Sequence, residues 1–216
     1  MLSVVIDTST ERGVIALLET GLILFQENLP FGHQNSKNLL PFLKKAFNNI
    51  DKSPQDASSI IVGIGPGSYT GIRVGATVAK TLSYSLNIPL IGVSSMVGFI
   101  PHFDSPFAAI VDAKIGGVYL LTGQQHNGTV TYKNEPFLCP LEELPPNLSN
   151  IDVIVTPHPC KLQPRLKSTI PQSFHWIERP PCPQQLYHIA KTSHTPNNDG
   201  TLEILYLKKQ HEAKRI

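Results

Sequence analysis

The sequence predicts an α/β protein made of two related halves, each of which opens on a β-hairpin. Short apolar runs of strand length alternate with segments of helical spacing, which indicates mixed α/β structure. An apolar run that ends in aspartate, followed by a turn and a second apolar run, occurs at the start of the chain and again after residue 104. At 216 residues and 41% apolar composition, the chain is long enough for one large domain or two small ones.

The first half is predicted to begin with a three-stranded antiparallel meander followed by a helix. The strands cover residues 2–6, 13–18 and 22–25. The helix is predicted because Leu39, Leu43 and Phe47 recur every four residues on one face, with Pro41 in its first turn or at a kink. A buried strand, a loop, a second helix and a further strand are predicted over residues 60–64, 65–70, 71–86 and 90–93. A short helix ending near residue 101 completes this half.

The second half repeats the opening pattern after a predicted domain boundary near residue 104, which divides the chain into residues 1–104 and 105–216. An apolar run at residues 107–111 ends in Asp112, and a turn containing Gly116 and Gly117 leads to a strand at residues 118–122. Further on, the sequence predicts a strand, a helix and a final apolar segment at residues 153–156, 183–193 and 202–207.

The glycine-rich segment GIGPGSYTGIRVG, residues 63–75, does not fit the common phosphate-binding motifs. The Walker motif needs lysine and a hydroxyl residue after its last glycine, whereas Gly71 is followed by Ile72 and Arg73. Its glycines are spaced GxGxxxG, one residue longer than the dinucleotide fingerprint, and residues 57–103 contain no Asp or Glu to bind a ribose. The segment is therefore predicted to be a tight turn from strand to helix.

The predicted second helix has one face of small side chains. Gly71, Gly75, Ala79 and Ser83 recur every four residues, so another backbone can approach this face closely. A helix with so few charges is buried either inside its own chain or against a partner, and the residues alone leave both possibilities open.

Composition predicts a cytoplasmic protein without a membrane segment. No apolar run approaches the roughly 18 residues that a membrane helix needs, and the N-terminus lacks the features of a secretory leader. The three cysteines have no Cys-x-x-Cys spacing, which indicates free thiols in a reducing compartment. The net charge of +2 is too small to predict nucleic-acid binding.

Six sequence motifs together closely resemble the TsaB (YeaZ) family. They are IDTST at 6–10, His33 with LLP at 39–41, GPGSYTGIRVG at 65–75, IPLIGVSS at 88–95, VDAK at 111–114 and VY at 118–119. The resemblance implies an actin-like, Hsp70-like ATPase (ASKHA) fold. It further implies a non-catalytic subunit that binds its catalytic homologue TsaD as a heterodimer. With the ATPase TsaE, it would support transfer of threonylcarbamoyl to the adenosine beside the tRNA anticodon.

The resemblance also bears on ligands and partners. It implies no cofactor for the chain alone, ATP or ADP only within the complex, indirect contact with tRNA and a homodimer when the partner is absent. Combined with the small-residue face, it favours a partner surface formed by His33, Leu40, Leu43, Gly71, Arg73, Gly75, Ala79 and Lys80. A bulky residue at Gly75 or Ala79 is then expected to abolish partner binding and leave the chain folded, whereas unfolding would indicate burial within the chain.

The resemblance assigns a degenerate nucleotide site and no catalytic residue. Its residues are Asp7, Thr8, Ser9, Thr10, Ser68 and Asp112. Active members of the superfamily have glycine soon after the second aspartate, whereas Asp112 is followed by Ala113, Lys114 and Ile115, whose side chains would obstruct a phosphate. Asp7 has the alternative role of hydrogen bonding within its own turn.

No metal site is expected. Catalytic relatives use two histidines four residues apart, but His33 is followed at that spacing by Lys37, a cation with no free lone pair. Lys37 also argues against the peptidase role attached to this superfamily by name. A free-standing ATPase or kinase using Asp7 and Thr10, or a self-associating scaffold, stays open as an alternative function.

Overall fold

The computed structural model describes residues 1–29, 35–171, 173–193, 202–205 and 207. The strands are β1 (Leu2–Asp7), β2 (Val14–Glu19), β3 (Leu22–Asn28), β4 (Ala57–Gly63), β5 (Leu90–Val93), β6 (Ser105–Asp112), β7 (Val118–His126), β8 (Thr129–Tyr132), β9 (Phe137–Cys139), β10 (Val153–Thr156) and β11 (His175–Glu178). The helices are α1 (Asn35–Asn49), α2 (Tyr69–Leu86), α3 (Leu144–Asn147), α4 (Pro159–Leu166) and α5 (Pro183–Ser193). Short 3-10 turns separate several of these elements.

The described chain divides into two compact units. Of the described residues, those up to 98 form the first unit together with residues 180–193 and 202–205, and those from 99 to 179 form the second unit together with residue 207. The predicted boundary near residue 104 places α5 in the second half, whereas the structure packs α5 against β1, β2, β4 and β5 of the first unit. Leu186 and Ala190 of α5 are buried there.

The first unit is built on a five-stranded sheet in the order β3-β2-β1-β4-β5. The meander β1-β2-β3 is antiparallel, whereas β4 and β5 run parallel to β1 and are reached through α1 and α2. The strands β1 and β4 are almost wholly buried, which explains their continuous apolar runs. Leu39, Leu43 and Phe47 of α1 pack into the core as their spacing predicts, and Pro41 lies inside that helix.

The second unit repeats this topology. Its main path is β11-β10-β6-β7-β8, with β9 added beside β7. The β6-β7-β8 meander is antiparallel, and β10 and β11 run parallel to β6, so each of the five strands on the main path has a counterpart in the first unit, whereas β9 has none. The predicted duplication of an α/β unit that opens on a hairpin is therefore confirmed. Among the described residues, no helix is long and apolar enough to cross a membrane.

Candidate functional site

Asp7 lies at the carboxyl end of β1, where the first hairpin turns. One carboxyl oxygen, Oδ1, accepts hydrogen bonds from the Ser9 backbone N–H at 2.8 Å and the Ser9 hydroxyl at 2.6 Å. The other oxygen, Oδ2, makes no hydrogen bond with any described residue. The side chain has no exposed surface, and a Cβ at Gly63 would overlap Oδ2. Asp7 is thus held inside its own turn with one oxygen unsatisfied.

Burial raises the pKa of Asp7 above its ordinary value of 3.8. The Ser9 hydrogen bonds oppose this increase, as does the hydroxyl of Ser95, which lies near but makes no hydrogen bond with Oδ2. The environment therefore favours the protonated carboxyl more than water does. A group in this condition is poorly suited to binding phosphate through a cation, since that role needs an ionised and accessible carboxylate.

The glycine-rich loop packs directly on the first hairpin turn. The Ser68 N–H donates to the Ser9 carbonyl at 2.6 Å, and the Thr8 hydroxyl donates to the Gly71 carbonyl at 2.7 Å. A Cβ at Gly67 would overlap the Ser9 carbonyl oxygen, and one at Gly71 would overlap the Thr8 carbonyl oxygen. Gly67 and Gly71 thus let the backbone of the glycine-rich loop approach the backbone of the first hairpin turn. A phosphate loop uses such glycines to approach its ligand, whereas here they contact protein.

The N-terminus of α2 is capped by the chain itself. The Ser68 hydroxyl accepts a hydrogen bond from the Gly71 N–H at 3.2 Å, and the Ser68 carbonyl accepts one from the Ile72 N–H at 2.9 Å. The structure brings Asp7, Thr8, Ser9 and Ser68 together, with Ser68 as an ordinary N-cap. Thr10 accepts a hydrogen bond from the Arg12 N–H at 3.2 Å within the turn.

The second hairpin turn is closed by an ion pair. Asp112 accepts a hydrogen bond from the Lys114 N–H at 2.8 Å and another from the guanidinium of Arg165 on α4. The same guanidinium also donates to the Lys114 carbonyl. Arg165 thus fixes both the aspartate and the turn that follows it. No local sequence pattern indicates this contact, because 53 positions separate the two charged residues.

The small-residue face of α2 lies inside the first unit and not on a partner surface. Gly75 and Ala79 are buried, and a Cβ at Gly75 would overlap the Thr8 hydroxyl and lie 3.7 Å from Ile6 Cγ2. Leu43 is also a core residue, 4% exposed. The assignment of these three residues to an exposed interface is therefore wrong, because they allow α1 and α2 to pack on the unit's own sheet.

Other predicted interface residues do lie at the surface. Leu40 of α1 is 58% exposed, and Arg73 and Lys80 of α2 are exposed. The Arg73 guanidinium stacks over the Tyr69 ring, 3.8 Å from its centroid. Gly71 is half-buried against Thr8, as described above, and His33 lies outside the described residues. Sequence reasoning missed Tyr84, which is 90% exposed near the end of α2.

A groove of about 360 Å³ adjoins this surface. Its apolar lining includes Leu40, Phe47 and Leu82, and its polar lining includes Lys44 and Lys52. Within the described parts of the chain, no group of three or more His, Cys, Asp or Glu side chains is placed to bind a metal ion. The first unit therefore combines a closed hairpin site with an accessible apolar groove.

The duplicated sheets and the hairpin aspartates define the class of protein: an actin-like, Hsp70-like ATPase (ASKHA) fold with two related α/β units. Residues 32–143, just over half of the chain, match the family model described as TsaD, tRNA N6-adenosine threonylcarbamoyltransferase. The chain belongs to this family, and within it to the TsaB (YeaZ) proteins.

Individual relatives agree with this assignment. The chain is 40% identical over 126 residues to the tRNA threonylcarbamoyladenosine biosynthesis protein TsaB of Bacillus subtilis, covering 57% of this chain and 55% of that protein. It is 27% identical over 135 residues to the protein of the same name from Escherichia coli, covering 60% and 58%. The chain thus matches just over half the length of these relatives.

A solved structure supports the fold over nearly the whole chain. It is a Pseudomonas aeruginosa protein described as uncharacterised and similar to peptidase YeaZ, with a TM-score of 0.80 at 20% identity. The superposition covers 96% of this chain and 99% of that one. The similarity includes the second unit, where the sequence motifs fade.

Proposed function

We propose that this chain is a non-catalytic subunit that binds a TsaD homologue as a heterodimer. With the ATPase TsaE, the complex would transfer threonylcarbamoyl to the adenosine beside the tRNA anticodon in the cytoplasm. The names of the relatives support the pathway. The observation that carries the binding role is the exposed apolar groove beside α1 and α2.

The closed first hairpin supports the non-catalytic part of the proposal. Asp7 is fully buried, the glycine loop contacts Thr8 and Ser9, and Ser68 caps α2. A substrate would have to displace these intrachain contacts to reach the carboxylate. We therefore assign ATP or ADP to the assembled complex, and contact with tRNA to the other subunits.

The charges around the groove define the partner's chemistry. Lys44 and Lys52 line the groove, while Arg73 and Lys80 are exposed on α2. Of these, Lys52 also pairs with Glu19 at 2.8 Å. A complementary surface on the TsaD homologue would present apolar side chains to Leu40 and Leu82, with carboxylates at the edge.

Light scattering during size-exclusion chromatography tests this proposal, using the chain alone and mixed with the TsaD homologue of the same organism. We expect a one-to-one complex. Leu40→Asp should weaken it about 30-fold, the effect of losing about 2 kcal/mol at a central apolar contact. Leu22→Asp is the matched control, since Leu22 is 68% exposed in the same unit but lies on β3. Absence of a complex with or without nucleotide, or equal effects of the two variants, would contradict the proposal.

A free-standing ATPase or kinase is the second candidate, and the unpartnered Oδ2 of Asp7 is the observation that favours it. Calorimetric titration of the isolated chain with magnesium-ATP distinguishes the two. Tight binding that Asp7→Asn removes would support the enzyme, whereas nucleotide binding only after the TsaD homologue is added supports the subunit role. Light scattering also measures the mass of the chain in the absence of the partner. A dimer is the result expected for the subunit, and larger assemblies would favour the alternative of a self-associating scaffold.

A further inference from the structure

The second unit contains a groove of about 650 Å³, lined by the end of α4 and by the segment that leads into β11. Leu166 and Ile170 are buried in this lining, and the half-buried rings of Phe174 and Trp176 pack against the same core. Lys167 also lines the groove and is exposed, so the groove opens to solvent. This volume and this largely apolar lining are typical of a site for a small molecule.

Three polar groups of the lining have no partner among the described residues. The side chains of Gln163 and Lys167 make no hydrogen bond or ion pair there, and no described group accepts a hydrogen bond from the indole N–H of Trp176. The lysine ammonium and the indole N–H act only as donors, and the glutamine amide is a donor as well as an acceptor. A ligand that carries acceptor oxygens is therefore the chemical complement of the groove.

The charge of the groove narrows the class of ligand. Its described lining includes Lys167 and His175 but neither Asp nor Glu, so an anionic group is complementary. Phosphate groups are bound at helix N-termini or by several cations and bidentate arginines. This lining instead contains one lysine and lies at the C-terminal half of α4, the negative end of that helix. A singly charged carboxylate matches one lysine better than a doubly charged phosphate does.

We propose that this groove binds a small planar aromatic carboxylic acid in its ionised form. The ring of the ligand packs on the apolar lining and against the rings of Phe174 and Trp176. The carboxylate pairs with Lys167, and the indole N–H of Trp176 donates to an oxygen of the ligand. This site lies within the second unit and does not depend on the binding of a TsaD homologue.

Nuclear magnetic resonance tests this proposal on the full-length chain. The chain contains a single tryptophan, so the indole N–H of Trp176 gives one resonance that reports directly on the groove. Naphthoate is the probe, with naphthylmethanol as the neutral analogue of the same ring and cyclohexanecarboxylate as an acid without an aromatic ring. We expect naphthoate to shift the resonance saturably, with a Kd of about 1 mM or tighter for a ligand of this size.

The two analogues separate the contributions of the ring and the charge. Each should bind about threefold or more weakly than naphthoate, because each lacks one of the two proposed contacts. A shift that does not saturate with naphthoate would overturn the proposal, as would equal affinities for the acid and its neutral analogue.

A charge-removing variant tests the polar contact. Lys167→Gln should weaken naphthoate about threefold and leave the affinity for naphthylmethanol unchanged. Lys133→Gln is the matched control, because Lys133 is an exposed lysine of the same unit outside the groove lining. Equal effects of the two variants on naphthoate binding would count against the assignment.

Other occupants give different results in the same experiment. Tighter binding of adenosine monophosphate than of naphthoate would assign the groove to a nucleotide. An indole resonance that moves with protein concentration in the ligand-free chain would assign it to a second copy. Either result would overturn the proposal.

Discussion

Gly75 of α2 faces the first hairpin with no room for a side chain. A Cβ at this position would lie closer than 3.0 Å to the hydroxyl oxygen of Thr8. Cβ atoms essentially never come that close to another heavy atom. That hydroxyl donates to the Gly71 carbonyl, so it cannot move without breaking a hydrogen bond. The substitution Gly75→Ala, which adds one methyl group, is therefore expected to destabilise the chain.

Three effects set the size of the change. Overpacking costs about 1–3 kcal/mol, and losing the hydrogen bond of Thr8 costs about 1 kcal/mol. Alanine has a higher helix propensity than glycine, which offsets about 1 kcal/mol of this destabilisation. The net loss in the free energy of unfolding is therefore about 1–3 kcal/mol. For a chain of this length, that corresponds to a fall in Tm of about 3–10 °C.

Urea unfolding and calorimetry measure this loss, and a double-mutant cycle identifies its cause. Thr8→Ala removes both the obstructing hydroxyl and its hydrogen bond, so Gly75→Ala should cost about 2–4 kcal/mol less in that background. Ser85→Ala is the control, because it makes a similar gain in helix propensity at an exposed position of α2. A Gly75→Ala chain as stable as Ser85→Ala, or strictly additive effects at residues 8 and 75, would refute the reasoning.

Two further predictions concern buried titratable groups. Burial raises the folded-state pKa of Asp7 above 3.8, its ordinary value. The free energy of unfolding of the wild-type chain should therefore fall as pH rises from 3.8 through the folded-state pKa. Asp7→Asn should remove that fall and raise Tm at neutral pH, and a Tm difference that is constant from about pH 4 to about pH 8 would contradict this. Burial raises the pKa of the Cys139 thiol to about 11, with a smaller contribution from nearby glutamates. In a Cys160→Ser/Cys182→Ser chain, Cys139 should therefore stay unmodified by a disulfide reagent at about pH 8 until urea unfolds the protein, and rapid modification of the native chain would count against it.

The sequence predicted the fold well where apolar runs are long and uninterrupted. The strands β1, β2, β4 and β5 and both strands of the second hairpin were identified because burial on both faces leaves continuous apolar runs. The edge strand β3, whose residues alternate between exposed and half-buried, was identified from its short apolar run after Gly21. The elements β8, β9, β11, α3 and α4 were missed. They are short, and the two helices contain prolines, so neither periodicity nor propensity distinguishes them from loops.

Only the parts of the candidate site that have a local sequence signature could be predicted. Local sequence identified Asp7 and the glycine loop, because a strand end and a glycine-rich turn have short-range signatures. The spacing of Gly75 and Ala79 showed that something approaches closely, but periodicity does not show whether the neighbour belongs to the same chain. The Asp112–Arg165 pair depends on tertiary structure alone.

The packing of α5 in the first unit affects the order in which the protein can fold during synthesis. The described strands of the second unit, β6 to β11, lie in one continuous stretch and can pair as soon as they leave the ribosome. The first unit cannot complete its folding at that stage, because α5 is synthesised after the second unit and the sheet surface that it covers is exposed until then. Nascent chains ending before residue 180 therefore expose apolar strands, and these are the species most prone to aggregate or to recruit chaperones.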